Sequence, residues 1–333
     1  MSAAVLGFVS LAMAVDPKLL SMLPAKSEVV GGVNVRAIMG SGLAREFMKS
    51  PGSGAGGLAE FTAMTGVDIE RDIHEVIFAG YTPPAAKGAA KPASTVGLGF
   101  ITGSFDAARI GGAIVAKGGT KSTYKGQTLF KPAAKANKDG DVLTFLDGTT
   151  MVAGNPGQVK QVLDKAAGGL STDILARVND VGGRYDVWMV STVSPGAIAS
   201  GMPEGAPGAE AAGALAGDFF KKVESTQGGI KLGPTINIGL EVISSSPEDA
   251  AALMNVLGFF RSMMGSQAPK QGEAAPPAGL VNMLNAIKMR TEAKTLFVSM
   301  AVPEADVISF MRSAQTSAAT PKEPVQEEII VIQ

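Results

Sequence analysis

Alternation is the feature that most narrows the folds open to this chain. In TINIGLEV, Ile236, Ile238, Leu240 and Val242 alternate with Thr235, Asn237, Gly239 and Glu241. Successive side chains of a strand point to opposite faces, so a period of two predicts a strand with one buried and one wet face. LFVSMAV repeats the pattern with Leu296, Val298, Met300 and Val302, and in VGLGFI the residues Val96, Leu98 and Phe100 share a face opposite Gly97 and Gly99. Strands with one polar face belong to antiparallel sheets, because parallel sheets are covered on both sides by crossover helices.

Helices follow several of these strands, with clear start signals. In VAGNPGQVKQVLDKAAGG, Asn155 is placed to cap a helix and Pro156 to open it. Val159, Val162, Leu163 and Ala166 form its apolar stripe, and Gly168-Gly169 is expected to end it. In SSSPEDAAALMNVLGFFRSMM, Ser246 caps and Pro247 starts a helix, with Glu248 and Asp249 at the positive end of its dipole. Leu253, Leu257, Phe260 and Met264 line the expected buried face.

These passages point to an internal duplication. Gly103–Ile114 matches Ser245–Leu257, Thr150–Leu163 matches Ser299–Met311, and Val29–Ile38 matches Tyr185–Ser194, in the same order in both halves. The expected architecture is α+β: two similar lobes, each an antiparallel sheet with helices packed on one face. The first lobe spans 15–177 and the second 178–314, with a flexible tail over 315–333 that ends in a short apolar strand. Low hydrophobicity marks Thr82–Thr95, Gly201–Gly217, Gly265–Gly279 and Ser313–Gln326 as loop or tail, since they have little to bury in return for ordering.

Composition excludes whole classes of function. Hydrophobic residues are 46% of the chain, which fits a globular protein. Basic and acidic residues number 29 and 30, so there is no surplus of cations for nucleic acid and no polybasic membrane patch. With no cysteine, disulfides, thiolate chemistry and iron–sulfur clusters are ruled out.

The first 14 residues read as an export signal. Ala3 to Met13 carry no charge, and Ala12-Met13-Ala14 supplies a small-x-small cleavage site ahead of Val15. A spanning helix needs about 20 apolar residues, whereas this run ends at Asp16-Pro17. The expected location is periplasmic or extracellular, with no transmembrane span after signal removal. The leader departs from the usual pattern in one respect, since no Lys or Arg precedes the apolar run.

The passages YKGQTLF, VLTFLDGTTMVAGNPGQVKQVLDKAAGG, MLPAKSEVVGGVNVRAI and TGVDIERDIHEVIFAGY resemble a pattern in uncharacterised exported bacterial proteins known only as domains of unknown function. The resemblance implies a cell-envelope location. It carries over no catalytic residue.

Few residues are equipped for chemistry. The densest ionisable cluster, VDIERDIHEV, holds the single histidine. On one helix, Asp68 with Asp72 and Glu70 with His74 would each sit a turn apart, a spacing that suits a divalent metal. The ordinary reading of the same residues is a capped turn with an Arg71–Glu75 surface pair, running into a strand at Ile73. STYK, Ser122–Lys125, has the Ser-x-x-Lys spacing of serine acyl-transferases but lies in a turn and strand without further partners. GGTKST interposes Thr120 where a phosphate loop needs Lys directly after glycine, and the glycines of GLGFITG fall within a strand. Methionine-rich FFRSMMG and LVNMLNAIKM suit an adaptable apolar groove, or core filler, and Trp188 suits the core. At the end, Ile329, Ile330, Val331 and Ile332 form an apolar strand fit to pair with its own sheet edge or a partner's.

The sequence therefore predicts an exported binding or scaffolding protein without catalytic centre or cofactor. Its working surface is expected on a sheet face or between the lobes, and its ligand is an apolar molecule or a protein segment. Two rivals remain: an extracytoplasmic hydrolase using a carboxylate pair, and a structural subunit assembled through its C-terminal tail.

Overall fold

The computed structural model describes residues 15–49, 59, 62–83, 96–133, 140–193, 221–265 and 278–319. Its strands are β1 (Val29–Asn34), β2 (Ile73–Tyr81), β3 (Val96–Gly103), β4 (Thr120–Tyr124), β5 (Gln127–Lys131), β6 (Val142–Phe145), β7 (Thr150–Gly154), β8 (Val187–Ser191), β9 (Val223–Lys231), β10 (Thr235–Ser244), β11 (Lys288–Glu292) and β12 (Thr295–Pro303). They form one antiparallel sheet in the order β11-β12-β10-β9-β8-β1-β2-β3-β7-β6-β5-β4. The expected α+β class and antiparallel pairing are present.

The sheet differs from the expectation of one sheet per lobe. β1 and β8 pair along Val29↔Ser191 to Val33↔Val187, so the two halves share a single continuous sheet. Pairing satisfies the backbone donors and acceptors that two separate sheets would leave open at facing edges.

The helices are α1 (Pro17–Ser21), α2 (Val35–Gly40), α3 (Gly42–Lys49), α4 (Ile69–Asp72), α5 (Ala107–Ala116), α6 (Pro156–Leu163), α7 (Thr172–Arg184), α8 (Pro247–Gly265), α9 (Ala278–Ala286) and α10 (Glu304–Ala319). The start signals work as the sequence predicts. Asn155 accepts from the Gly157 amide at 2.9 Å, with Pro156 opening α6. The Ser246 hydroxyl accepts from the Asp249 amide at 3.1 Å at the head of α8. The stops differ. α6 ends at Leu163, ahead of Gly168-Gly169, and α10 continues through the expected start of the tail to Ala319. Its Gln and Ala residues are good helix formers, which low hydrophobicity alone does not reveal. Arg177 and Val178, the expected lobe boundary, lie mid-helix in α7.

Helices cover both faces of the sheet, where the sequence predicts one. On the first face Val30, Ile77, Ala79, Leu98, Phe100, Val152, Trp188 and Val190 pack with Leu19 and Leu20 of α1, Val159 and Val162 of α6, and Ile174, Val178 and Val181 of α7. Met151, next to Val152 and so on the second face, packs instead with Ile110 and Ile114 of α5. Val242 joins Leu253, Met254 and Leu257 of α8. It pairs with Thr226, while Val190 of the first face pairs with the adjacent Gln227, so α8 also lies on the second face. The physical reason is that β3 and β7 carry apolar residues on both sides, Phe100 beside Ile101 and Val152 beside Met151, and both sides must be shielded.

Candidate apolar sheet-face site

Between α5 and α8, the second face carries a row that crosses six strands. In register it runs Gly99, Phe78, Gly31, Met189, Gly228 and Leu240. Phe78 is 39% exposed, Met189 39% and Leu240 40%. With strands about 4.8 Å apart, Phe78 and Leu240 lie about 19 Å from each other across the sheet. One row along, Val76, Val33, Val187, Ile230 and Ile238 are half-buried and continue the apolar surface.

Glycine shapes the row. A Cβ on Gly31 would stand 2.3 Å from Cζ of Phe78, so the tip of the Phe78 ring lies over the Gly31 backbone. A Cβ on Gly228 would meet the Gly239 carbonyl oxygen at 2.1 Å. Large apolar side chains thus alternate with bare backbone, making a trough. Every strand beneath it is paired on both sides, so the trough offers contact area and no free backbone hydrogen bonds.

The sequence-predicted metal residues do not assemble. Asp68 caps the single turn α4, its Oδ1 accepting from the Glu70 amide at 3.0 Å and the Arg71 amide at 3.3 Å. Asp72 accepts from Arg71 Nε at 2.7 Å and Nη2 at 2.9 Å, and from the Asp68 amide at 2.9 Å. The Arg71 bond, then the amide, hold its carboxyl down at about 2. Glu70 belongs to α4 while His74 starts β2, where its ring contacts Arg36. Burial, then the Arg36 charge, keep His74 below its ordinary value. The run changes from helix to strand after Asp72, so Glu70 and His74 lose their one-turn spacing. Among the described residues no group of three or more His, Asp or Glu could hold a metal. Ile329, Ile330, Val331 and Ile332 lie outside the described residues.

The other motifs take structural roles. Ser122 sits in β4 opposite Leu129, and Lys125 occupies the hairpin turn with φ 47° and pairs with Asp164 at 2.6 Å. Trp188, 3% exposed, fills the space over Gly32, where a Cβ would lie 2.3 Å from the indole. Met254 and Met289 pack in the core beneath α8.

Asp180 and Glu241 converge on the first face, where an arginine neutralises them. Asp180 and Glu241 both bind Arg184 Nη2, and Glu241 also accepts from Gln227 Nε2 at 2.8 Å. A recess of about 290 Å³ beside α5, lined by Ala107, Ala108, Gly126, Gln127, Thr128, Phe130, Thr144 and Phe145, has no ionisable side chain in its wall.

Glu75 is the residue whose setting sequence reading missed. It stands in β2 beside Asn34 and Thr102 and shares the face of Ile77 and Ala79. No hydrogen-bond or ion-pair partner among the described residues meets its carboxyl. Burial first, and the nearby Asp16 charge second, push its pKa up from 4.5 to about 7.

The fold and surface define an α+β protein built on one wide antiparallel sheet with an open apolar trough. No protein-family model matches the chain, and no curated protein matches it. Among solved structures the chain is similar to TP0453 in its crystal form I, at 10% identity over 91% of this chain and 98% of that one, with a TM-score of 0.43. Among the described residues no helix is long and apolar enough to cross a membrane.

Proposed function

We propose that this is an exported, non-catalytic binding protein of the cell envelope whose ligand is a small molecule with a hydrocarbon chain. The observation that carries this reading is the exposed row Phe78, Met189 and Leu240 on the second face. An apolar chain lying there buries surface at about 25 cal/mol per Å² and leaves no polar group unsatisfied. A peptide strand laid on the same face would find no free backbone partner, which favours the hydrocarbon over a protein segment. The Asp180–Arg184–Glu241 cluster, neutralised by its arginine, does not supply the free acid and base that a carboxylate-pair hydrolase needs.

Mass spectrometry of the protein from its native host, under conditions that retain bound molecules, tests this. The expected result is a mature N-terminus at Val15 and an extractable hydrocarbon-chain passenger. A native N-terminus at Met1 in a cytosolic fraction would end the export reading. An empty protein that also takes up no added fatty acid would end the binding reading. Assembly through the C-terminal tail is the alternative role. Deleting Glu327–Gln333 without any change in mass profile would remove it.

We also infer an internal duplication. What supports it is strand order: outward from the central pair, β1-β2-β3-β7-β6 on one side parallels β8-β9-β10-β12-β11 on the other. α5 after β3 corresponds to α8 after β10, and α6 after β7 to α10 after β12. The three matched sequence pairs fall on corresponding elements. The first copy adds the β4–β5 hairpin at its outer edge. On this reading each copy is one lobe, and the lobes meet at the β1–β8 pair.

A further inference from the structure

The trough is uncharged along its length and meets a cation at one corner. Between β3 and β10, the second-face rows through Val29, Gly31 and Val33 contain no ionisable side chain. One step further down β2 stands His74. Alternation puts it on the face of Val76 and Phe78. A bulge between Ile73 and Glu75 leaves Ile73 on that face too, where it packs in the cluster under α5. Arg36 of α2 reaches the same corner, with Nη2 2.5 Å from His74 Nε2. A guanidinium only donates, so Nε2 accepts and the ring proton sits on Nδ1. Burial, then the Arg36 charge, hold His74 below its ordinary value, so the ring is neutral at pH 7. Arg36 itself has no carboxylate partner among the described residues, although α4 packs against α2. Of the α4 acids, Asp68 caps its own turn, Asp72 is bound by Arg71, and Glu70 is exposed and makes no ion pair with Arg36. Arg36 thus brings a positive charge that no acid within ion-pair distance offsets.

We propose that Arg36 and His74 hold the head group of the trough's ligand and that this head group is a carboxylate, so the ligand is a long-chain fatty acid. The inference rests on the hydrocarbon-binding reading above and names the polar end of the same ligand. Distance fits it. His74 lies four residues, about 13 Å, from Phe78 along β2, and Leu240 lies about 19 Å across the sheet from Phe78, so the diagonal from His74 to Leu240 is about 23 Å. An extended hydrocarbon advances about 1.3 Å per carbon, so an acid of about 16 to 18 carbons covers that diagonal. Its chain would cross Val33 and Met189, both on the second face. Charge fits as well. One guanidinium beside a neutral imidazole matches the single charge of a carboxylate rather than the double charge of a phosphate monoester. Arg36 keeps further N–H donors in a fork that suits the two carboxylate oxygens. Arg36 is exposed, so the head group stays wet at the rim while the chain lies on the sheet.

The test uses the chain starting at Val15, the mature form expected above, and three ligands with the same pyrene-labelled 16-carbon tail: the carboxylic acid, its methyl ester and the alkyl phosphate. Fluorescence titration at pH 8 gives each dissociation constant. The acid should bind about 10-fold more tightly than the ester or better, as loss of a charge-assisted hydrogen bond implies. Arg36→Gln should remove that preference, weakening the acid about 10-fold while the ester changes less than about 2-fold. Arg36→Lys keeps the charge without the fork and should restore part of the preference. His74→Phe should weaken the acid by about 3-fold, less than Arg36→Gln does, because it removes a neutral donor. Equal affinity for acid and ester, or an Arg36→Gln loss shared by the ester, would overturn the head-group assignment and leave the trough standing. Tighter binding of the alkyl phosphate than of the acid would overturn the carboxylate. Failure of the parent chain to bind either acid or ester would overturn the trough reading itself, so the two failures are distinct.

Discussion

The two faces of the central strands carry neighbouring residues of the same segments and meet opposite fates. Ile77 is fully buried while Phe78, the next residue, is 39% exposed; Trp188 is 3% exposed and Met189 39%. Composition does not separate the faces, since both are apolar. Coverage does: α1, α6 and α7 close the first face over β1, β2, β3, β7 and β8, whereas the exposed row of the second face lies between α5 and α8. An apolar surface left exposed on the central strands, whose opposite face is shielded, marks a place of contact.

The largest contrast is expected from truncating one aromatic on each face. Phe100→Ala should cost about 3–5 kcal/mol in urea unfolding, through lost transfer energy and a cavity. Phe78→Ala should cost about 1 kcal/mol, because the ring is already partly in water. Equal costs would mean that the second face is covered in solution.

A second contrast pairs adjacent glycines. Gly32→Ala drives a methyl into the buried Trp188 indole and should cost about 1–3 kcal/mol. Gly31→Ala meets the Phe78 ring, which can swing into solvent, so its cost should be the smaller of the two. The same urea midpoints decide it, and a reversed order would break the distinction between the faces.

The third effect is set by pH. The folded value of Glu75 in the uncut chain, about 7, lies above the ordinary 4.5, so the folded state favours the protonated form. Its contribution to stability is full below about 4.5 and is lost as pH rises toward 7. Midpoints of the Met1 chain should fall across that window, and Glu75→Gln should flatten the fall. A slope unaltered by the substitution would assign it to other groups.

Much of the local structure was legible in the sequence. The alternation at Ile236–Val242 and Leu296–Val302 gives β10 and β12, and Asn155-Pro156 and Ser246-Pro247 give the heads of α6 and α8. What escaped depends on partners far away in the chain. Val29–Val33 carries no local sign that it pairs with Val187–Ser191, and that pairing turns two expected sheets into one. Strand periodicity states which residues share a face; it cannot say which helix covers it, so α8 covers the Val242 side that alternation marks as buried, whereas α5 lies on the Ile101 side of β3, opposite the Phe100 face. The trough was hidden for the same reason. Gly31, Gly99 and Gly228 come from three separate strands and form one row only after register is set. The isolation of Glu75 likewise follows from Asn34 and Thr102 standing beside it, where the sequence shows only one more acid in a charged run.

The most direct test of the open face is a titration of a fluorescent fatty acid against the Val15-start chain and its Met189→Asp/Leu240→Asp variant, with urea midpoints measured on both. The account predicts saturable binding by the parent chain, at least 10-fold weaker binding by the variant, and midpoints that stay close together. Equal affinity in the two proteins, or no binding by the parent chain, would contradict it.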